Sequence, residues 1–232
     1  MIKTVAMIAI FSPLLGSIVA GLGAKRIGKA GAHFITIFLM VLSFLSACFL
    51  FKCVVLNGAS YYGPIYVWAV SGNFHFDIGL MLDQLSVVMM VVVTFVSLLV
   101  HIYSIGYMQE DEGYQRFFSY VSLFTFMMLM LVTANNFLQL FFGWEGVGLV
   151  SYLLIGFWFK KDSAADGSLK AFIVNRVGDF GFILGIAAIL DYAGSLDYHV
   201  VFHQASYIAQ QKIMIFSGHH WSLDTVICVL LF

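Results

Sequence analysis

Glu145 stands in the stretch GWEGVGLVSYLLIGFW (143–158) as the single charged side chain among glycines, aromatics and branched aliphatics. A carboxylate in such surroundings either keeps its charge beside a cation or water, or surrenders it by taking up a proton. A group held near that balance is suited to relaying protons. The plainer alternative is a neutral glutamic acid that only hydrogen-bonds a neighbouring helix. A second polar group, Lys170, Asn175, Arg176 and Asp179, follows in KAFIVNRVGDFGF (170–182). Arg176 and Asp179 are three residues apart, so they share a helix face and can pair. That pair either ties helices together or belongs to a hydrophilic path through an apolar interior.

The elements that must hold these groups follow from composition. Of 232 residues, 62% are hydrophobic and 10% charged, and the mean hydropathy is +0.97. Soluble domains carry about 25% charged residues, so the chain reads as an integral membrane protein of the all-α class. A net charge of −1 with no basic stripe gives no indication of a nucleic-acid partner, and none is expected. Cys48, Cys53 and Cys228 form no CxxC pair, which indicates neither a disulfide framework nor a metal cage. No phosphate-cradling loop, dinucleotide fingerprint or nucleophile–base arrangement is present, so neither a cofactor nor a soluble substrate is expected to bind this chain.

A membrane-crossing helix needs about 20 mostly apolar residues. Runs of that kind lie near 4–24, 31–51, 81–107, 117–134, 137–159 and 170–192, and a seventh starts near Leu223 and is cut at Phe232. The sequence therefore reads as six full spans and the start of a seventh, the N-terminal piece of a longer chain. Lys25, Arg26 and Lys29 follow the first run while Lys3 alone precedes it, which argues for a span with its N-terminus outside rather than a cleaved signal peptide. Alternation then puts Lys25, Arg26, Lys29, Arg116, Lys160, Lys161, Lys170 and Arg176 on the cytoplasmic side, against Lys3, Lys52 and Lys212 outside. That distribution satisfies the positive-inside rule.

Two outer loops have substance. Residues 57–80 open with Asn-Gly and Gly-Pro and then alternate, predicting a β-hairpin. Residues 193–222 hold His199, His203, His219 and His220, with VVFHQASYIAQQ predicting an amphipathic helix along the membrane surface. His199 and His203 have the i,i+4 spacing of a metal pair but lack a third ligand of defined spacing, so an ordinary surface loop is expected.

At 1.5 Å per residue Glu145 lies ~12 Å from the outer end of its span, too deep to reach the interface. Asp179 lies in the next, antiparallel span, within ~8 Å of the same depth. Lesser roles fall to three residues. Asp83 fits the N-cap of the third span. His101 is expected at its cytoplasmic interface, and Lys170 at the start of the sixth run. Gly143, Gly146 and Gly148 permit close helix approach.

The motifs LFFGWEGVGLVSYLLIGFWF (140–159), KAFIVNRVGDFGF (170–182), LDQLSVVMMVVVTFVSLLVHIYSIGYM (82–108) and RFFSYVSLFTFMMLMLVTANNFLQL (116–140) resemble subunit L, or chain 5, of NADH–quinone oxidoreductase, respiratory complex I. The resemblance covers essentially the whole sequence. It implies an antiporter-like, proton-translocating subunit of the membrane arm, without a redox site of its own, in a bacterial inner membrane. FMN, iron–sulfur clusters and quinone are then expected in other subunits, and the partners are other membrane-arm subunits and the lipid bilayer. It further implies residues 1–110 as helices 1–3 with the outer hairpin, and 111–232 as the first part of the proton-translocating repeat. Glu145 would pair with a lysine of the seventh helix just past Phe232, with Arg176 and Asp179 as the polar cluster of the sixth. The large subunit of a multisubunit Na⁺/H⁺ antiporter is the alternative, and a purely structural membrane anchor a third.

Overall fold

The computed structural model describes residues 1–71, 74–216 and 219–232, with the backbone alone at 25, 71, 74, 75, 215, 216 and 219. The tip of the expected 57–80 hairpin and the side chains of Lys25 and His219 thus lie outside the described residues. Six helices are long and apolar enough to cross a membrane. They are α1 (Ile2–Leu22), α2 (Ala24–Phe51, continued by a π turn Lys52–Leu56), α3 (Gln84–Tyr107), α4 (Tyr114–Val132), α5 (Phe137–Ile155) and α6 (Asp162–Ala193). Helix α4 sits centrally, packed against α1, α2, α3 and α5, while α5 leans on α6.

Backbone polar groups must be satisfied within the bundle, because hydrocarbon offers no partners. Pro13 inside α1 has no N–H to give to Ala9 O, and Ser43 of α2 donates its hydroxyl there at 2.5 Å. Helix α2 bends near its start at Gly28, whose φ of 64° favours glycine. Asp83 caps α3, its carboxylate accepting from Ser86 N at 2.7 Å. Asn136 caps α5 in the same way, accepting from Gln139 N at 2.8 Å.

The 57–80 hairpin is present as antiparallel strands β1 (Tyr61–Ser71) and β2 (Phe74–Leu82), with register shifts between Pro64 and Tyr66 and between Val67 and Ala69. The loop after α6 differs from expectation. The single surface helix breaks at Gln204 into α7 (Tyr198–His203) and α8 (Ala205–Gln210), followed by a second hairpin, β3 (Lys212–Phe216) and β4 (His219–Ser222). Asp197 starts α7 by accepting from His199 N at 2.9 Å, while Gln204 serves as C-cap of one helix and N-cap of the next. Helix α9 (Leu223–Leu231) opens at the expected Leu223 and packs on α6. The sixth span begins at Asp162, ahead of the apolar run, and ends at Gly194 in the left-handed conformation.

Candidate functional site

The site lies where α5 meets α6. Gly143 lets α5 approach α4 closely: a Cβ there would fall 2.7 Å from Leu131 Cα. This contact fixes the rotation of α5 and presents Trp144 and Glu145 towards α6. Arg176 of α6 forms an ion pair with Glu145, and the same Nη1 lies 3.6 Å from Asp179 Oδ2. One guanidinium therefore stands between two carboxylates from neighbouring helices. Its face also covers the Phe172 ring at 4.7 Å. Trp144 Nε1 donates to Asp179 Oδ1 at 2.9 Å and packs edge-on to Phe182.

Burial is graded across the cluster. The Asp179 side chain is 8% exposed, Glu145 19% and Arg176 42%. A cavity of about 220 Å³ opens beside the three residues, with Ser151 and Asn175 as further polar walls. A second cavity of about 460 Å³ shares Trp144, Asn175 and Asp179, and reaches Leu231 and Phe232 of the α9 end. Asp179 thus borders both spaces.

The sequence pattern anticipated Arg176–Asp179 but not that Arg176 reaches Glu145, the cation for which was expected beyond Phe232. The two acids belong to different helices and meet at one guanidinium only after α5 and α6 dock, a relation no spacing in one helix encodes. Trp144 is a residue sequence reasoning missed, and its signal was an indole N–H needing a partner in apolar surroundings. Missed as well were Asn136 and Gln139. Both are buried at the hairpin end of α5: Asn136 donates to Asp77 O at 3.0 Å, and Gln139 Oε1 accepts from Gly79 N at 2.8 Å. They fasten β2 to the helix that carries Glu145.

The lesser candidates fall elsewhere. Asp83 is a cap. Lys170 is exposed on α6 and does not line either cavity. His101 is 1% exposed, because α4 packs across it. Its Nδ1 lies 2.7 Å from Ser97 O and its Nε2 2.9 Å from Ser122 Oγ. A carbonyl only accepts, so Nδ1 carries the proton and Nε2 accepts from the Ser122 hydroxyl. His199 and His203 stack at 6.3 Å, and among the described residues no group of three His, Cys, Asp or Glu side chains forms a metal cluster.

Outside the spans, burial and the neighbouring Asp197 push the Tyr62 hydroxyl well above its ordinary range. Burial does the same for Tyr198. Hydrogen bonds from Trp158 and Gly113 hold the Asp111 carboxyl below its usual value, helped by Arg116 and Lys29.

The fold matches two solved assemblies. A chain of the membrane-bound sulfane sulfur reductase, an archaeal respiratory membrane complex, aligns with TM-score 0.81 at 20% identity, over 98% of this chain and 43% of that one. A chain of the Mrp complex from Dietzia sp. DQ12-45-1b aligns with TM-score 0.78 at 19% identity, over 97% and 22%. The likeness is one of fold, a multi-pass bundle with six helices long and apolar enough to cross a membrane.

Sequence comparison narrows the class. Residues 68–118 match the family described as NADH-ubiquinone oxidoreductase (complex I), chain 5 N-terminus, and residues 134–231 match NADH:quinone oxidoreductase/Mrp antiporter, TM. NADH-quinone oxidoreductase subunit L of Neisseria meningitidis serogroup B is 53% identical over 232 residues, 99% of this chain and 34% of the relative. The wheat NADH-ubiquinone oxidoreductase chain 5 is 46% identical over 226 residues, 97% and 33%. The chain belongs to the subunit L / chain 5 family of NADH–quinone oxidoreductase, and it spans about a third of the length of the curated relatives it matches.

Proposed function

We propose that the chain is part of a proton-translocating, antiporter-like subunit in the membrane arm of an NADH–quinone oxidoreductase. The observation that carries this reading is the guanidinium of Arg176 set between Glu145 and Asp179 in the middle of two spans. Two carboxylates that share one cation cannot both be fully neutralised by it, so a proton arriving on one strengthens the hold on the other. Moving Arg176 between its partners would then pass the proton need from helix to helix. The cavities on either side of Asp179 supply room for water along that path. Residues 1–110 act as the scaffold and 111–232 as the first part of the translocating repeat.

On this reading the chain does no redox chemistry, and FMN, iron–sulfur clusters and quinone belong to other subunits. Its partners are neighbouring membrane-arm subunits, and its location is a bacterial inner membrane. The lysine that the family resemblance implies beyond Phe232 would approach from the α9 end, where the larger cavity opens. The test is proton pumping by the whole complex carrying Glu145→Gln. Reduced pumping with an assembled complex supports the reading, and wild-type pumping with full assembly overturns it.

A further inference from the structure

At the end of the bundle opposite the β1–β2 hairpin, two cavities adjoin. One is an apolar groove of about 530 Å³ between α3, α4 and α5, walled by Val92, Val96, Val100, Phe117, Val121 and Leu154. The other is a charged basin of about 570 Å³ at the helix ends, holding Glu110, Glu112, Arg116, Lys160 and Lys161. Their walls touch: Phe117 of the groove meets Phe157 of the basin edge-on at 5.4 Å, and Leu154 of the groove lies three residues before Phe157.

The basin's charges are not spent on one another. Both ion pairs among the described residues belong to Arg176. Arg116 Nη2 donates to Phe157 O at 3.1 Å, its guanidinium stacks over Phe157 and Phe159, and its Nε is buried without a partner. Lys161 lies over the Trp158 ring at 5.2 Å. Asp111, by contrast, is occupied, with one oxygen accepting from Gly113 N at 2.6 Å and the other from Trp158 Nε1 at 2.8 Å. Three cations and two unengaged glutamates thus face one space at the ends of membrane-length helices, beside an apolar groove between α3, α4 and α5.

We propose that this is a binding site for a phospholipid of the ethanolamine type. Its phosphate would sit on Arg116, Lys160 and Lys161, its primary ammonium on Glu110 and Glu112, and one acyl chain in the groove. Cationic pockets between helices at a membrane face suit phosphate headgroups. A purely anionic headgroup would meet the two glutamates at a cost. A choline headgroup has the charge but no N–H to donate to them.

The test uses the whole complex in nanodiscs of equal parts phosphatidylethanolamine, phosphatidylglycerol and phosphatidylcholine. Each lipid is supplied in turn with a trace analogue bearing a diazirine on the acyl chain. The ethanolamine analogue should label peptides of α3, α4 and α5 about tenfold more than the other two, the worth of one charge-assisted hydrogen bond. Lys160→Gln with Lys161→Gln should lower labelling by all three lipids. Glu110→Gln with Glu112→Gln should remove the advantage of ethanolamine over both the choline and the glycerol headgroups. Equal labelling by the three headgroups overturns the assignment. So does an unlabelled groove covered by another stretch of protein.

Discussion

Arg176 of α6 pairs across the helix interface with Glu145 of α5, and it does so while remaining 3.6 Å from Asp179 on its own helix. The carboxylate deepest in the protein is thus not the one most directly paired. Asp179 takes its nearest hydrogen bond from Trp144, so it keeps a donor even when Arg176 leans towards Glu145. This arrangement gives the guanidinium two alternative partners within reach of one side-chain movement.

Removing the cation should be more damaging than shortening it. Arg176→Gln leaves two neighbouring carboxylates without a counter-charge, which should cost stability even though the guanidinium is partly exposed. Arg176→Lys keeps the charge but loses the planar fork and the stack on Phe172. Thermal denaturation of the detergent-solubilised complex should show a large drop for Gln and a small one for Lys, with reduced pumping in both.

Trp144→Phe isolates the second contact of Asp179. The ring keeps its packing on Phe182 and loses only the N–H, so stability should fall by about 1.5 kcal/mol. Asp179→Ala should harm assembly or pumping more than Asp83→Ala, because the latter removes a helix cap worth about 1 kcal/mol and touches neither cavity. Blue-native electrophoresis and pumping assays of the two alanine variants make the comparison.

Helix approach can be tested at two glycines. Gly143→Val would drive a side chain into the backbone of Leu131 and should abolish assembly. Gly146→Ala meets the Met127 side chain, closest at its sulfur, rather than a backbone, and should cost less. The readout is the amount of assembled complex in membranes.

Asp111 offers a pH dependence. Its carboxyl is held below the usual range in the folded chain, so the unfolded chain binds the proton more readily. The resulting stabilisation is present at neutral pH and is lost as pH falls below about 4, through the depressed folded value. Asp111→Asn should therefore lower the melting temperature at pH 7, by a margin that shrinks as pH falls through the depressed folded value. The effect should be small, because the group is largely exposed.

Much of the fold was legible because its signals are local. Each span is a long apolar run, the first hairpin is announced by Asn-Gly and Gly-Pro, and Asp83 sits where a cap must be. The second hairpin was hidden because KIMIF and HHWS are short, and the apolar periodicity ahead of them suggested one continuous helix. His101 looked interfacial from its distance along α3, whereas its burial depends on α4 crossing it and on Ser122 filling its second nitrogen. The same holds for the central cluster. Glu145, Arg176 and Asp179 were visible as charges out of place, yet which acid Arg176 reaches is decided by the docking of α5 on α6, where Gly143 sets the approach.

The central claim, that Glu145 and Arg176 act as one unit in proton translocation, is tested most directly by a double-mutant cycle of pumping. Proton flux per NADH oxidised would be measured in proteoliposomes for the wild-type complex, Glu145→Gln, Arg176→Gln and the double variant. If the pair is the working unit, either single change removes most of the flux carried by this subunit and the double variant is no worse than the more damaged single. Independent, additive losses, or full flux in an assembled Glu145→Gln complex, would contradict the account.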